Sequence, residues 1–203
     1  MKRRIGWAAA VSVPSALFCL VACGPARSPA ERAAGAAALT ERARADFYAR
    51  RYEDAEALCR KALESAPRDE AASLLLADVY GLMNRPAEGL SLVLAAVDPQ
   101  GPPRGRAGLA RAFAAAGKRD EALRIVARLV PATAASPDGS LAFDLGLIFA
   151  SLGMREEAFR WLETAAAARA PALRHLRDDP RLDALRGDSR YLDLVKKLDS
   201  PPA

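Results

Sequence analysis

The sequence predicts an all-α protein built from about four consecutive helix-turn-helix repeats, and three observations support this prediction. A six-residue turn pattern occurs four times at a nearly constant spacing. Aromatic residues stand at a fixed distance before three of these turns. Large and small apolar residues recur around them with the spacing of a helical face. Because one helix pair buries only one side, stacked pairs are expected to share a continuous core.

The turn pattern begins with a basic residue or one that tolerates a left-handed backbone. It continues with one or two acids and ends on a small residue. The final residues are separated by 34, 33 and 36 positions. These features are typical of one helix ending, a tight turn, and a second helix whose first acids complement its dipole. The four copies cover residues 50–55, 84–89, 117–122 and 153–158.

The segments before the turns keep the same register. Tyr80, Phe113 and Phe149 each precede a turn by four residues. Small residues at a helix crossing let two helices approach closely, and large residues fill the gaps beside the crossing. A large and a small residue precede each aromatic on the helical face: Leu76 and Ala77, Leu109 and Ala110, Leu145 and Gly146.

The period and the small residues resemble the tetratricopeptide repeat, a helix-turn-helix unit of about 34 residues. The resemblance implies a right-handed α-solenoid with repeats over residues 36–69, 70–102, 103–136 and 139–171. The chain departs from the family pattern at Asp46, which holds the place of the first aromatic, and at the oversized Leu129. A plain helical bundle with accidental periodicity is the alternative. The small positions of the family correspond to Ala43, Ala55 and Ala62; Ala77, Gly89 and Ala96; Ala110, Ala122 and Leu129; and Gly146, Ala158 and Ala165.

Further helical residues are predicted on both sides of the repeats, which we assign to residues 29–170. Ser28 and Glu31 form a predicted capping box, so the first helix is expected to begin at Pro29 and to run into Arg50. At the other end, residues 172–203 are interpreted as capping helices and a tail, with short helices over 181–186 and 189–198. This tail also resembles the segment that follows tetratricopeptide arrays in bacterial adenylate cyclases and signalling regulators.

The N-terminus has the pattern of a secretory signal. Three basic residues at positions 2–4 precede an apolar stretch over residues 5–20. The sequence Leu20-Val21-Ala22-Cys23 resembles the bacterial lipobox, which implies cleavage before Cys23 and acylation of its thiol. We therefore expect a lipoprotein signal peptide over residues 1–22 and a short tether over residues 23–28. An uncleaved membrane anchor is the alternative, although the stretch is barely long enough to span a bilayer.

The charge balance argues against a nucleic-acid partner. The chain has 30 Lys+Arg and 25 Asp+Glu, but three of the cations belong to the predicted signal. Without them, 27 cations face 25 acids, which leaves a net charge of about +2. Nucleic-acid binding usually needs a clustered basic face, which this balance does not indicate.

Cysteine and histidine usage argues against common catalytic machinery. His175 is the only histidine, so a histidine metal site, a Ser-His-Asp triad and a Cys-His dyad all lack parts. We expect His175 to be exposed or locally hydrogen-bonded. Cys59 is expected to be buried and to behave as a small hydrophobic residue. The sequence therefore predicts no enzyme, no catalytic residue, no cofactor and no metal site.

The family resemblance implies a partner groove on the inward faces of the first helices. Arg44 and Arg111 alone hold the places where chaperone-binding members grip a carboxylate. The groove is interpreted as a mixed apolar and polar peptide site; the alternative is that these side chains merely cover the surface. The residues predicted to contact a partner are Arg44, Phe47, Tyr48, Leu74, Asp78, Leu82, Arg111, Phe143 and Leu147.

The resemblance and the lipobox together predict a lipid-anchored interaction module at the periplasmic face of the cell envelope. It would scaffold or recruit an envelope protein or peptide. Gly24, where an aspartate would retain some lipoproteins in the inner membrane, favours the outer membrane. The alternative is an accessory subunit of a cell-wall, outer-membrane assembly or secretion machine.

Overall fold

A computed structural model describes residues 28–199 of the chain. The predicted signal peptide and Cys23 lie outside the described residues. The helices are α1 (Pro29–Tyr48), α2 (Tyr52–Ser65), α3 (Glu70–Leu82), α4 (Pro86–Ala96), α5 (Pro103–Ala115), α6 (Arg119–Leu129), α7 (Ser140–Ser151), α8 (Arg155–Ala167) and α9 (Ser189–Asp199). Between residues 28 and 199, three 3₁₀ turns cover Val130–Ala135, Pro171–His175 and Pro180–Leu185.

The first eight helices form four hairpins that stack in chain order. Helices α1, α3, α5 and α7 pack side by side in one layer, and each contacts the second helix of its own hairpin. No strand occurs between residues 28 and 199. The all-α solenoid predicted from the sequence is therefore confirmed.

The predicted capping box sets the start of α1. The hydroxyl oxygen of Ser28 accepts a hydrogen bond of 3.1 Å from the Glu31 amide, and the Ser28 amide donates to the Glu31 carboxylate over 2.7 Å. Two amides that a helix start leaves unpaired are thereby satisfied.

None of the helices between residues 28 and 199 combines the length and the apolar character that a membrane span requires.

The four hairpin turns share one backbone conformation. Their first residues, at positions 50, 84, 117 and 153, all have a positive φ between 60° and 72°. The residue that follows each of these positions donates a main-chain hydrogen bond to the preceding helix. For example, the Lys118 amide donates to the Phe113 carbonyl over 2.9 Å. Tyr80 and Phe149 accept the equivalent bonds. The motif fixes the register of each turn relative to the helix before it, and at the first turn the carbonyl of Asp46 accepts the same bond from Arg51 over 2.9 Å.

Small residues stand where the helices of a hairpin cross. A Cβ atom placed on Gly89 would lie only 2.9 Å from the carbonyl oxygen of Ala77, so the two backbones touch. Ala122 and Ala158 occupy the corresponding place in later hairpins and are fully buried. This is the close approach that the repeat register predicts.

The chain after α8 forms what we call the C-terminal segment, residues 171–199. Asp179 caps its second 3₁₀ turn by accepting from the Arg181 amide over 3.0 Å, and Asp188 accepts from the Arg190 amide over 3.0 Å before α9. The helix expected over 181–186 is therefore a 3₁₀ turn. The segment covers α7 and α8, as a solenoid cap does.

Burial also explains the behaviour of Cys59. Its side chain lies in the core between the first hairpin and α3. Burial raises the pKa of the thiol to about 12, so the group stays protonated at neutral pH. Cys59 thus has the packing role expected from the sequence.

Candidate functional site

The concave surface is the exposed face of the layer formed by α1, α3, α5 and α7, and the C-terminal segment crosses it. Arg50, in the first turn, makes two hydrogen bonds of 2.6 and 2.7 Å to the Asp183 carboxylate. The ring of His175 stacks on Tyr48 with centroids 4.1 Å apart and planes inclined by 10°. The segment therefore joins the last hairpin to the first.

The C-terminal segment belongs to the hydrophobic core and is not a loosely attached arm. Six of its large apolar side chains are almost completely buried with those of α7 and α8, whereas Leu192 and Leu198 are exposed. Burying one leucine contributes about 1.5 to 3 kcal/mol, so five such leucines contribute roughly 10 kcal/mol. This is a gross figure, because ordering the segment costs conformational entropy that offsets much of it. Detaching the segment would still expose these leucines and the surface of α7 and α8 that they cover to water; the five leucines are Leu173, Leu176, Leu182, Leu185 and Leu194.

A row of alternating charges runs from the C-terminal segment across the concave surface. Asp179, which is fully buried, pairs with Arg181 over 2.6 Å. Arg181 also pairs with Asp78 over 2.8 Å and lies over the Phe47 ring at 5.4 Å. Asp78 in turn accepts two bonds of 2.7 and 3.1 Å from Arg111. Each charge has an opposite neighbour, which compensates for its removal from water.

These pairs control the ionisation of Asp78 and Arg181. Burial alone would raise the pKa of Asp78, but Arg111 and Arg181 lower it below its ordinary value. Burial alone would lower the pKa of Arg181, but Asp179 and Asp78 raise it well above its ordinary value. Asp78 and Arg181 are therefore both charged at neutral pH.

The row ends on Asp144, whose pairing is incomplete. Its nearest cation, Arg111, lies 3.8 Å away and already binds Asp78. No group within residues 28–199 donates a hydrogen bond to the Asp144 carboxylate, and only 22% of its side-chain surface is exposed. Burial raises the pKa of Asp144, and Arg111, Arg181 and Arg104 oppose this shift only in part. Asp144 is thus a carboxylate that the described part of the chain leaves without a partner of its own.

Asp144 lines what we call the central pocket, a cavity of about 450 Å³ between the concave surface and the C-terminal segment. Two aromatic rings, Phe143 and Tyr48, line it beside the charged groups. It contains as many arginines as carboxylates, which are Arg44, Arg104, Arg111 and Arg181 with Glu41, Glu70, Asp78 and Asp144.

The remaining charges of the pocket are compensated to different degrees. Arg44 pairs loosely with Glu41 over 3.5 Å. Glu70 lies against Gly105 in the first turn of α5, where a Cβ atom would come within 2.5 Å of its carboxylate oxygen. That helix has no acid in its own first turn, so Glu70 complements its dipole. Arg104, at the exposed rim, forms no ion pair with another described residue within 4.0 Å.

The structure places the nine predicted groove residues in three different settings. Phe47 and Leu147 are buried in the core, and Leu82 is exposed but outside the pocket. The expectation of a continuous groove is therefore corrected, because the C-terminal segment covers part of the surface and packing closes another part. The contact of these side chains with a partner stays a prediction. The six that line the central pocket are Arg44, Tyr48, Leu74, Asp78, Arg111 and Phe143.

His175 is locally hydrogen-bonded, as expected, and also has a structural role. Its Nε2 atom accepts a bond of 2.9 Å from Arg174, beside the stack on Tyr48. Burial and the charge of Arg174 lower the pKa of His175, so the ring is neutral at pH 7. In the part of the chain that the structure describes, no three His, Cys, Asp or Glu side chains gather as a metal site.

Sequence reasoning missed the residues that complete the pocket. Asp144 could have been predicted, because it is the single charged residue in the mostly apolar helix α7. Asp179 and Arg181 carried none, since the tail was interpreted only as a cap. Glu70 and Arg104 were also missed, because each begins a helix and resembles an ordinary solvated end.

Comparisons with known proteins add little to this geometry. No family model matches the chain, and no curated protein matches it. Among solved structures, the chain is similar to one titled "MamA MSR-1 C2", with a TM-score of 0.42 and 18% identity over 80% of this chain and 93% of that chain. A second, titled "Crystal structure of MamA", has a TM-score of 0.38 and 16% identity over 72% of this chain and 85% of that one. At these values the similarity carries no inference about function.

Proposed function

We propose that this protein is a protein-protein interaction module that binds a segment of its partner in the central pocket. The observation that carries the proposal is the weakly paired carboxylate of Asp144 in a charged, aromatic-lined pocket on the concave surface of a repeat solenoid. Repeat solenoids commonly bind partners on such surfaces. Pockets with a few convergent polar groups are the usual binding sites of proteins.

The pocket favours binding of a short segment over a long extended peptide. The C-terminal segment closes the surface beside Phe47 and Asp78, so a partner has access mainly at the rim near Arg44 and Arg104. A rigid site of this kind needs little ordering when the partner binds.

We also propose that the module is a lipoprotein held at the periplasmic face of the envelope, at the outer membrane. The Leu-Val-Ala-Cys sequence that ends at Cys23 supports this proposal. Six residues, 23–28, span at most about 20 Å. Because α1 begins at Pro29, such an anchor would hold the solenoid close to the membrane surface.

A photo-crosslinking experiment tests the binding site. A benzoylphenylalanine placed at Arg104, on the pocket rim, is expected to crosslink an envelope protein in intact cells. The matched control places the same group at Arg128, which is exposed on α6. The same crosslinked products from both positions would contradict the assignment of the pocket.

A labelling experiment tests the anchor separately. Cys23→Ser removes the thiol that forms the thioether, so labelled palmitate is expected in the wild type and not in the variant. Equal labelling of both would contradict the lipoprotein proposal while leaving the binding site untouched.

A further inference from the structure

The row of charges that ends in the central pocket indicates which charge is missing at its open end. The row Asp179, Arg181, Asp78, Arg111, Asp144 contains three acids and two bases, so it carries one surplus negative charge. That surplus falls at its open end, on the carboxylate that faces the pocket. The charge that would continue the alternation is a cation.

The same molecule already shows how this surface binds a cation. Arg181, supplied by the C-terminal segment, binds Asp78 over 2.8 Å while its guanidinium lies over the ring of Phe47 at 5.4 Å. A carboxylate beside an aromatic face is a favourable site for a guanidinium group, which pairs through its edge and stacks through its plane. In the central pocket, the Asp144 carboxylate shares the lining with the rings of Tyr48 and Phe143.

The rim of the pocket has the opposite charge. Arg104 is exposed there without an ion pair among the described residues, and Arg44 is only loosely paired. Acidic residues beside a bound cation would complement these two arginines. The C-terminal segment has this order of charges itself, since Asp179 and Asp183 flank Arg181.

We propose that the central pocket binds an arginine side chain of a partner segment, with Asp144 as its acceptor and with flanking acidic residues on Arg44 and Arg104. This inference rests on the proposed function and gives the chemistry of the partner. The arginine completes the alternating row, and the ring of Tyr48 that lines the pocket provides an apolar surface beside its guanidinium.

The probe is the peptide acetyl-Asp-Arg-Asp-amide, titrated by calorimetry and by NMR against the full-length chain in detergent. The control peptide carries citrulline in place of arginine, which keeps the shape and removes the charge. The arginine peptide is expected to bind at least about tenfold more tightly, since hydrogen bonds between charged groups are the strong ones. Amide shifts are expected at Phe143 and Asp144.

Asp144→Asn is expected to abolish the preference for arginine over citrulline. The matched control is Asp120→Asn, which neutralises an exposed aspartate on α6 and should keep that preference. The citrulline comparison itself requires no variant, so it remains informative whatever Asp144→Asn does to folding.

Three outcomes would overturn the proposal. The first is equal binding of the arginine and citrulline peptides, or no binding of either. The second is an Asp144→Asn variant that binds the arginine peptide as the wild type does. The third is free L-arginine binding as tightly as the peptide, which would overturn the assignment to a partner segment and indicate a small-molecule site.

The failure of this inference can be distinguished from the failure of the proposed function. If the crosslinks from position 104 persist but the peptides do not discriminate, the interaction module stands and the guanidinium chemistry is wrong. If the arginine peptide binds but position 104 yields the same products as position 128, the pocket binds guanidinium and the interaction module is wrong.

Discussion

Asp78 and Asp144 are two carboxylates on the same concave surface, but their surroundings differ. Asp78 binds two guanidinium groups at hydrogen-bond distance, and its pKa is lowered. Asp144 has one cation at 3.8 Å, and its pKa is raised. The C-terminal segment explains the difference, because it brings Arg181 to the first carboxylate and stops short of the second. A largely buried carboxylate with only one distant cation is a candidate group for binding a ligand.

The largest expected effect is the loss of the fully paired carboxylate. Asp78→Asn would leave Arg111 and Arg181 buried without their shared counterion. Removing one partner of a buried ion pair typically costs about 3 to 5 kcal/mol. We expect the free energy of unfolding, measured with urea, to fall by about that amount. A loss no greater than that of Asp120→Asn would show that the network contributes little.

The weakly paired carboxylate should behave in the opposite way. Asp144→Asn removes a largely buried charge, breaks no hydrogen bond and gives up only the 3.8 Å pairing with Arg111, so at pH 7 the free energy of unfolding is expected to rise, on the order of 1 kcal/mol. Urea denaturation of both aspartate variants gives the comparison directly. A clear destabilisation by Asp144→Asn would mean that the carboxylate has a structural role that its contacts do not show.

The same difference should depend on pH. A raised pKa means that folded Asp144 holds its proton more tightly than unfolded Asp144, so its cost falls as the pH decreases. The stability gap between Asp144→Asn and the wild type should be full near pH 7 and should shrink toward zero as the pH approaches about 4. His175 also titrates in this range, but it is present in both proteins and cancels. A constant gap would contradict the raised pKa.

The smallest expected effect concerns the exposed link between the first turn and the C-terminal segment. Arg50 and Asp183 are both nearly half exposed, so solvent weakens their attraction. A double-mutant cycle with Arg50→Ala and Asp183→Ala should give a coupling energy of only about 0.5 kcal/mol. A coupling of several kcal/mol would show that this ion pair, and not the buried leucines, is the main attachment of the segment.

The elements that the sequence predicted well are those determined by neighbours along the chain. A left-handed turn residue such as Asn84 or Gly153, with an aromatic four residues before it, follows from the way one helix ends. Gly89 likewise follows from the crossing of two adjacent helices. These signals repeat with the period of the solenoid, which made them visible.

The candidate site was predicted only in part, because its contacts join distant parts of the chain. Arg50 and Asp183 are 133 positions apart, and no periodicity links them. The repeat register assigned Phe47 and Leu147 to a helical face but did not show what covers that face. The interpretation of the tail as a cap was incomplete, since Ala172 and Arg181 also form one wall of the pocket.

The central claim is that the C-terminal segment is a fixed part of the fold and a permanent wall of the pocket. Native-state hydrogen exchange tests it most directly. The amides of Leu176 and Leu182, which donate within the segment over 2.9 and 3.2 Å, should open with the same free energy as the amides of α7. That result would show that segment and solenoid unfold together. Opening of these amides at a free energy well below that of α7 would show a segment that detaches from the folded protein, and would contradict the account.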